Sequence, residues 1–115
     1  MKPLAILMIG GAMLALASAA AAKDDPAQIQ QGHDVFQRWC AACHAPGPHH
    51  PGTDSLRAKY GATKPAELEL RRDLTPVQTR FFVRHGVSIM PWFRKTEVSD
   101  ADLDAIGAYL ARKRR

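Results

Sequence analysis

Two cysteines, two alanines and a histidine stand together at Cys40-Ala41-Ala42-Cys43-His44, and no other stretch constrains the fold as strongly. This spacing is typical of a c-type haem attachment site. The two thiols lie about one helical turn apart, so both can reach the vinyl groups of one porphyrin. The histidine then lies under the iron and supplies its proximal nitrogen. The sequence therefore predicts one haem c and its iron, held by thioethers from Cys40 and Cys43 and by His44.

A cysteine pair at this spacing has two other uses in proteins. A redox disulfide of the thioredoxin type expects a neighbouring βαβ pattern, and the sequence shows none. A zinc site needs further ligands, and the chain has no second cysteine pair, which leaves only an unusual cluster with His49 or His50. Disulfide chemistry and zinc binding therefore stay open as alternatives, ranked in that order behind covalent haem.

Residues 1–22 predict that the chain is exported. Lys2 gives a short positive region, an apolar run follows, and Ala20-Ala21-Ala22 offers a cleavage site of small residues, with an alternative cut three residues earlier. An uncleaved anchor is the alternative, because the uncharged run is just long enough to span a bilayer. Its alanines make it a weak anchor. We expect a signal peptide at 1–22, a bacterial periplasmic location, and no stable membrane insertion after cleavage.

Residues 23–115 are the size of one small domain, whose modest core a covalent haem would extend. This part of the chain is basic, with fifteen Lys or Arg against eleven Asp or Glu. In an exported chain such charge favours docking to an acidic redox partner or a membrane surface, and we expect no nucleic-acid binding. Much of the charge is at 112–115, where solvated cations also suit the end of a helix.

Hydrophobic spacing and capping residues predict a set of helices and no strands. Gly32 in the first helix indicates close approach of another helix, because glycine otherwise costs helix stability. We expect helices at about Ala27–Arg38, at Leu56–Tyr60 with Thr53 or Asp54 as the cap, at Pro65–Leu70, at Pro76–His85 between a Thr75 cap and Gly86, and at Asp100 to about Lys113 with Ser99 as the cap.

Met90 is the only methionine of residues 23–115, and it lies in a loop after a helix with Pro91 behind it. A thioether is the expected sixth ligand of a high-potential electron-transfer haem, so Met90 is the predicted distal ligand. A core methionine that fills a gap is the alternative, and His85 is then the next candidate ligand. A carbonyl of Pro48 or Pro51 is expected to accept a hydrogen bond from the second nitrogen of the proximal histidine.

Two further sets of side chains have candidate roles around the haem, and the sequence ranks the members of neither set. Cations that form a docking rim, or are simply solvated, are Arg38, Arg84, Arg94 and Lys95. Candidate donors to the haem propionates are Tyr60, Arg71, Arg72 and Trp92.

Residues 23–115 as a whole resemble a class I cytochrome c. The resemblance is carried by Gly32 and Phe36, Cys40 to His44, the Pro/Gly loop with Leu56, Met90-Pro91, and Ile106, Tyr109 and Leu110. It implies an all-α class I cytochrome c fold, three to five helices wrapped around one covalently bound haem. It also implies that the first and last helices cross near Gly32 and that His44 and Met90 are the axial ligands.

The segment Arg84–Tyr109 is similar to the small cytochrome c subunits of periplasmic flavin dehydrogenases of the 4-cresol dehydrogenase type. That similarity implies an electron carrier that accepts single electrons from a dehydrogenase, a flavoprotein being one candidate, and passes them to a respiratory acceptor. No paired carboxylates, nucleophile motif or phosphate-binding loop argues for an enzyme. The alternative function is a haem protein whose open or labile sixth site binds a gas or peroxide.

Overall fold

The computed structural model describes residues 25–112. The predicted signal peptide and the predicted end of the last helix near Lys113 lie outside the described residues. Within them the chain is all-α, as predicted, with one isolated β-bridge and no strand. The elements in chain order are α1 (Pro26–Trp39), α2 (Ala41–His44), α3 (Pro51–Tyr60), a 3₁₀ turn (Leu68–Leu70), α4 (Pro76–His85) and α5 (Asp100–Ala111).

Local signals place α4 and the start of α5 where the sequence predicts them. Thr75 caps α4 by accepting a hydrogen bond from the amide of Gln78 at 3.2 Å, and the Gln78 side chain accepts one from the Thr75 amide at 3.0 Å. This reciprocal capping box satisfies two amides that the helix leaves free. Gly86 ends the helix with a φ of +69°. Ser99 caps α5, accepting from the amide of Asp102 at 3.1 Å.

The predicted cap of α3 is wrong. The helix begins at Pro51, whose fixed φ suits the first helical position, and His50 stands at the cap without a side-chain hydrogen bond. Thr53 lies inside the helix and is completely buried. Its hydroxyl donates to the carbonyl of Ala45 at 2.9 Å, so it links two segments instead of capping one.

The helix predicted at Pro65–Leu70 is also wrong in extent. Only Leu68–Leu70 is helical, as a single 3₁₀ turn, and the backbone is extended at both Glu67 and Arg71. A helix of six residues forms too few hydrogen bonds to offset the cost of its first turn. The segment is held by tertiary contacts instead, since Ala66 is buried and Glu69 accepts a hydrogen bond from the hydroxyl of Tyr109.

The core lies where α1 and α4 pack on α5. A Cβ added to Gly32 would lie 2.1 Å from the carbonyl oxygen of Ala105 and 2.7 Å from the Cβ of Tyr109, which confirms the predicted close approach. On α5 the buried side chains include Leu103, Ile106, Tyr109 and Leu110. We call the following buried side chains the core cluster: Phe36, Val83, Val98, Leu103, Ile106, Tyr109 and Leu110.

Among residues 25–112, no helix combines the length and apolar character needed to cross a membrane.

Candidate functional site

The segment Cys40–His44, called here the attachment turn, is one helical turn set at the end of α1. The chain bends at Cys40, whose carbonyl accepts from the amides of Cys43 at 3.1 Å and His44 at 2.9 Å. Both thiols are free, and Cys43 is exposed while Cys40 is half-buried. The turn thus presents two unpaired thiols, spaced as the sequence predicts, with the histidine beside them.

The environment of Cys40 does not favour thiol–disulfide chemistry. Burial, with a smaller contribution from neighbouring Cys43, raises the pKa of the Cys40 thiol to about 12. Cysteines that attack disulfides have the opposite perturbation, a lowered pKa that makes the thiolate available near neutral pH. Cys40 therefore stays protonated at neutral pH, unlike a cysteine that attacks disulfides.

The ring of His44 is half-buried and packs against the backbone at Gly52, in the first turn of α3. A Cβ added to Gly52 would lie 2.6 Å from Cε1 and 2.8 Å from Nδ1 of His44, so only glycine fits there. Burial lowers the pKa of His44 and favours the neutral imidazole, the form that binds metals.

The Nδ1 of His44 is buried and has no hydrogen-bond partner within residues 25–112. The expected bond to a carbonyl of Pro48 or Pro51 is absent there, and the Pro51 carbonyl accepts from the hydroxyl of Ser55 at 2.7 Å instead. Unpaired buried polar atoms are rare, and a bound group is one common reason for them. The predicted hydrogen bond that would fix the ring through this nitrogen is therefore wrong for the described residues, and the buried Nδ1 is left unsatisfied.

Two side chains at the start of α3, those of His50 at the cap and Thr53 inside the helix, hydrogen-bond to backbone carbonyls in and just after the attachment turn. The Nδ1 of His50 donates to the carbonyl of Ala42 at 3.0 Å, and Thr53 donates to the carbonyl of Ala45. His50 is therefore hydrogen-bonded to the attachment turn. His49 is exposed, with a φ of +67°. Nowhere among residues 25–112 do three or more His, Cys, Asp or Glu side chains form a group that would hold a metal ion.

Met90 lies in a tightly turned segment, residues 86–93, which we call the Met90 loop. The amide of Val87 donates to the carbonyl of Met90 at 3.1 Å, and the amide of Met90 donates back at 2.9 Å. Ser88 turns the chain between them with a φ of +53°. A Cβ on Gly86 would lie 2.6 Å from the Met90 carbonyl oxygen, so glycine is required where the loop leaves α4.

The attachment turn and the Met90 loop meet on the same core. Cys40, Ala41 and Met90 are all partly buried against the core cluster. Phe93, at the end of the loop, meets Trp39, at the end of α1, edge to face with ring centroids 6.1 Å apart. The fold thus gathers the predicted proximal and distal segments, which are far apart in sequence.

Eight large apolar side chains are exposed among residues 25–112. Free thiols, a neutral imidazole, a soft thioether and exposed apolar side chains are a set that fits a haem. The exposed side chains among residues 25–112, from 36% to 77% accessible, are Trp39, Leu70, Val77, Phe81, Phe82, Val87, Ile89 and Trp92.

His85, the other candidate ligand, is held against its own helix. Its ring stacks on Phe81 with centroids 4.5 Å apart, and its Nδ1 donates to the Phe81 carbonyl at 2.8 Å. These contacts explain the position of the His85 ring at the end of α4 by packing and hydrogen bonding within the helix.

The cations of the predicted docking rim are mostly paired within the protein. Lys95 and Arg84 reach Asp100 at 2.7 and 2.9 Å. Arg94 pairs with Glu97 at 3.2 Å. Arg38 lies over the ring of its neighbour Trp39, 5.7 Å from the ring centroid.

Among the candidate propionate donors, Arg71 is already engaged. Its guanidinium donates two hydrogen bonds to Asp73, at 2.8 and 2.6 Å, and lies over the ring of Tyr60 at 5.0 Å. Arg71, followed by Lys64, holds the pKa of the Asp73 carboxyl well below its usual range. Arg72 and Trp92 are exposed, and their part in holding propionates stays a prediction.

The chain matches a known family over most of its length. The family described as "Cytochrome C oxidase, cbb3-type, subunit III" matches residues 27–110. The matched span runs from α1 into α5 and includes both the attachment turn and the Met90 loop. No curated protein and no solved structure matches the chain.

Proposed function

The chain belongs to the cytochrome c family described as cbb3-type cytochrome c oxidase subunit III, and we propose that it carries one covalent haem c with His44 and Met90 as axial ligands. Family membership makes it a class I c-type cytochrome and a haem-based electron-transfer protein. When bound, the haem supplies one-electron chemistry between Fe(II) and Fe(III). The site proposal rests on one observation, that Cys40, Ala41 and Met90 all pack against the core cluster.

The residues of the chain have distinct roles in this proposal. Cys40 and Cys43 would hold the haem by thioethers, each thiol adding across a vinyl group so that sulfur bonds one carbon and the hydrogen goes to the other. Gly52 lets the His44 ring pack against the start of α3, and the paired hydrogen bonds between Val87 and Met90 hold the backbone from which the Met90 thioether extends. Ligands held by packed backbone move little between redox states, which keeps electron transfer fast.

Covalent attachment is tested by acid–organic extraction of the denatured protein. We expect the haem to stay with the wild-type chain and with a Cys43→Ala variant that keeps one thioether. It should be lost when both cysteines become alanine. Haem extracted from the wild-type chain would contradict the proposed attachment.

The ligation of Met90 is tested with carbon monoxide. We expect the ferrous wild-type protein to bind carbon monoxide poorly and Met90→Ala to bind it avidly, because the thioether no longer occupies the sixth position. The matched control is His85→Ala, which should behave as wild type. Avid binding by the wild type that Met90→Ala does not change would favour the alternative, a haem protein whose open sixth site binds a gas or peroxide.

We also propose a periplasmic location in a bacterium after removal of residues 1–22. The support is the leader pattern together with a haem site that is loaded outside the cytoplasm. The intact mass of the purified protein tests the cleavage. A retained leader in the membrane fraction would favour the anchor instead.

The proposed partners are a dehydrogenase as electron donor and a respiratory protein as acceptor. The similarity of Arg84–Tyr109 to small subunits of flavin dehydrogenases of the 4-cresol dehydrogenase type makes a flavoprotein one candidate donor. Gentle size-exclusion of native periplasmic extract tests this, with haem absorbance and flavin fluorescence followed together. Co-elution in a large species supports a dedicated subunit, and haem eluting alone at the size of one domain supports a diffusible carrier.

A further inference from the structure

Arg84, in the last turn of α4, makes two hydrogen bonds to separate segments. Its Nη1 donates to the carbonyl of Phe93 at 3.0 Å, and its Nη2 donates to the carboxylate of Asp100 at 2.9 Å. The side chain is only 17% exposed. One guanidinium therefore joins the end of the Met90 loop to the first residue of α5.

The two ends of the Met90 loop are held together by the Arg84 guanidinium and by backbone hydrogen bonds. Its first residue, Gly86, continues from α4, and the amide of Phe93 donates back to the Val83 carbonyl at 2.8 Å. Three apolar side chains of the loop contribute little burial, since Val87 is 53%, Ile89 67% and Trp92 60% exposed, whereas Met90 and Phe93 pack against the core cluster. Segments with few buried contacts open most easily, so the hydrogen bonds at the ends of the loop add to these two packing contacts in keeping it closed.

We propose that Arg84 is a positioning residue for Met90, a role that rests on the proposed function. Its guanidinium clamps the Phe93 carbonyl and so holds the loop in the shape that presents the Met90 thioether. A charged donor makes a stronger hydrogen bond than a neutral one. Asp100 balances the charge and fixes the side chain from the far side.

The ion pair between Arg84 and Asp100 is present at neutral pH and well below it. Lys95 and, after it, Arg84 lower the pKa of the Asp100 carboxyl to about 2. Asp100 therefore stays ionised, and the ion pair does not act as a switch.

The chain offers a close control one helical turn earlier. Arg80 also lies on α4 and also donates to Asp100, at 3.4 Å, and to Asp104, but it makes no hydrogen bond to the Met90 loop. Replacing it removes a charge and an ion pair of the same kind while leaving both bonds of Arg84 in place. Any effect of net charge alone should appear in both replacements.

The experiment compares the haem-loaded wild type with Arg84→Gln and Arg80→Gln. Three signals are followed: amide hydrogen exchange at Met90 and Phe93, the weak charge-transfer absorption that a thioether gives to ferric haem, and carbon monoxide binding. We expect Arg84→Gln to speed exchange at these amides about tenfold, the effect of one lost charge-assisted hydrogen bond. It should also weaken the absorption and raise carbon monoxide binding, whereas Arg80→Gln should match the wild type.

A second pair of variants covers the case in which Arg84→Gln does not fold. Arg84→Lys keeps the charge but not the forked donor, so it should fall between wild type and Arg84→Gln, while Arg80→Lys should match the wild type. Arg84 variants that equal their Arg80 counterparts in a methionine-ligated protein would overturn this inference alone. A wild type without the methionine signature would overturn the proposed ligation as well.

Discussion

The side chain of Thr53 is buried, and its hydroxyl donates a hydrogen bond to the carbonyl of Ala45, the residue after His44. Thr53→Val keeps the shape but leaves the Ala45 carbonyl without its donor at 2.9 Å. We expect the free energy of unfolding to fall by about 1–3 kcal/mol, the cost of an unmade hydrogen bond in a partly buried site. The midpoint of urea unfolding of the haem-loaded protein measures this.

Thr53→Ser separates the hydroxyl from the methyl group. It keeps the donor and loses one buried methyl group, so it should cost only about 1 kcal/mol. Thr53→Val that unfolds at the wild-type midpoint would show that the bond to Ala45 contributes nothing.

Thr53 and Arg84 are two residues whose structural roles could not be predicted from the sequence. A threonine before a short helix has the pattern of a cap, and an arginine late in a helix has the pattern of a solvated charge. Both side chains instead reach segments that only the tertiary fold brings near, Ala45 for one and Phe93 for the other. The haem motif was readable because its chemistry is local, with all three groups inside five residues.

At the scale of elements, α1 and α5 cross at a point that only glycine allows. In Gly32→Ala the new Cβ would lie 2.1 Å from the Ala105 carbonyl oxygen, a backbone atom that cannot move aside. The helix itself gains about 1 kcal/mol from alanine. Overpacking typically costs about 1–3 kcal/mol or somewhat more, and we expect a net loss of about 2 kcal/mol in the free energy of unfolding.

Gly107→Ala is the matched replacement on α5. Its Cβ would lie 3.0 Å from the Cβ and 3.1 Å from the Cα of Pro76, so the start of α4 has to move by only a few tenths of an ångström. We expect this variant to stay within about 1 kcal/mol of wild type, because the helix gain offsets the contact. Equal losses for the two variants in urea unfolding would show that the α1–α5 crossing is not specially tight.

Elements with their own end signals were predictable, and the others were not. Thr75, Pro76 and Gly86 mark both ends of α4 within the sequence, so its bounds are correct. The segment 65–70 has helix-forming residues but no such ends, and its conformation depends on the contact between Glu69 and Tyr109. The close packing of α1 and α5 was predictable because a glycine in mid-helix costs stability unless a neighbouring helix needs the space.

For the molecule as a whole, the charge is unevenly divided along the chain. Residues 25–112 hold eleven Lys or Arg and ten Asp or Glu, so the described part is close to neutral, whereas Lys113, Arg114 and Arg115 carry three further cations. Changing these three to glutamine should slow oxidation of the ferrous protein by ferricyanide, an anion, several-fold at low salt. Stopped-flow rates at rising ionic strength measure it, and the salt dependence should also diminish.

The control for that change is a neutral oxidant, with which the variant should react like the wild type. Arg94→Gln gives a further comparison, because Arg94 already pairs with Glu97 and should matter less. If Arg94→Gln slowed the ferricyanide reaction more than the triple change, the steering charge would lie on the described surface instead.

Several carboxylates have a lower pKa in the folded protein than in the unfolded chain, and this difference determines how the free energy of unfolding depends on pH in acid. The pKa of Asp100 is lowered to about 2 from its usual 3.8, and the pKa of Asp73 is lowered by Arg71 and then Lys64. A lowered folded-state pKa stabilises the protein above the unfolded pKa, and that stability is lost as the pH falls through the folded value. We therefore expect the free energy of unfolding to drop as the pH falls from about 4 to 2, with these carboxylates contributing no change between about 5 and 8.

Asp73→Asn tests this pH dependence at one carboxylate. By urea unfolding, the variant should be less stable than wild type at pH 6 and should approach the wild-type stability at pH 2. A difference that stays the same at both pH values would show that the charge of Asp73 is not what stabilises the fold.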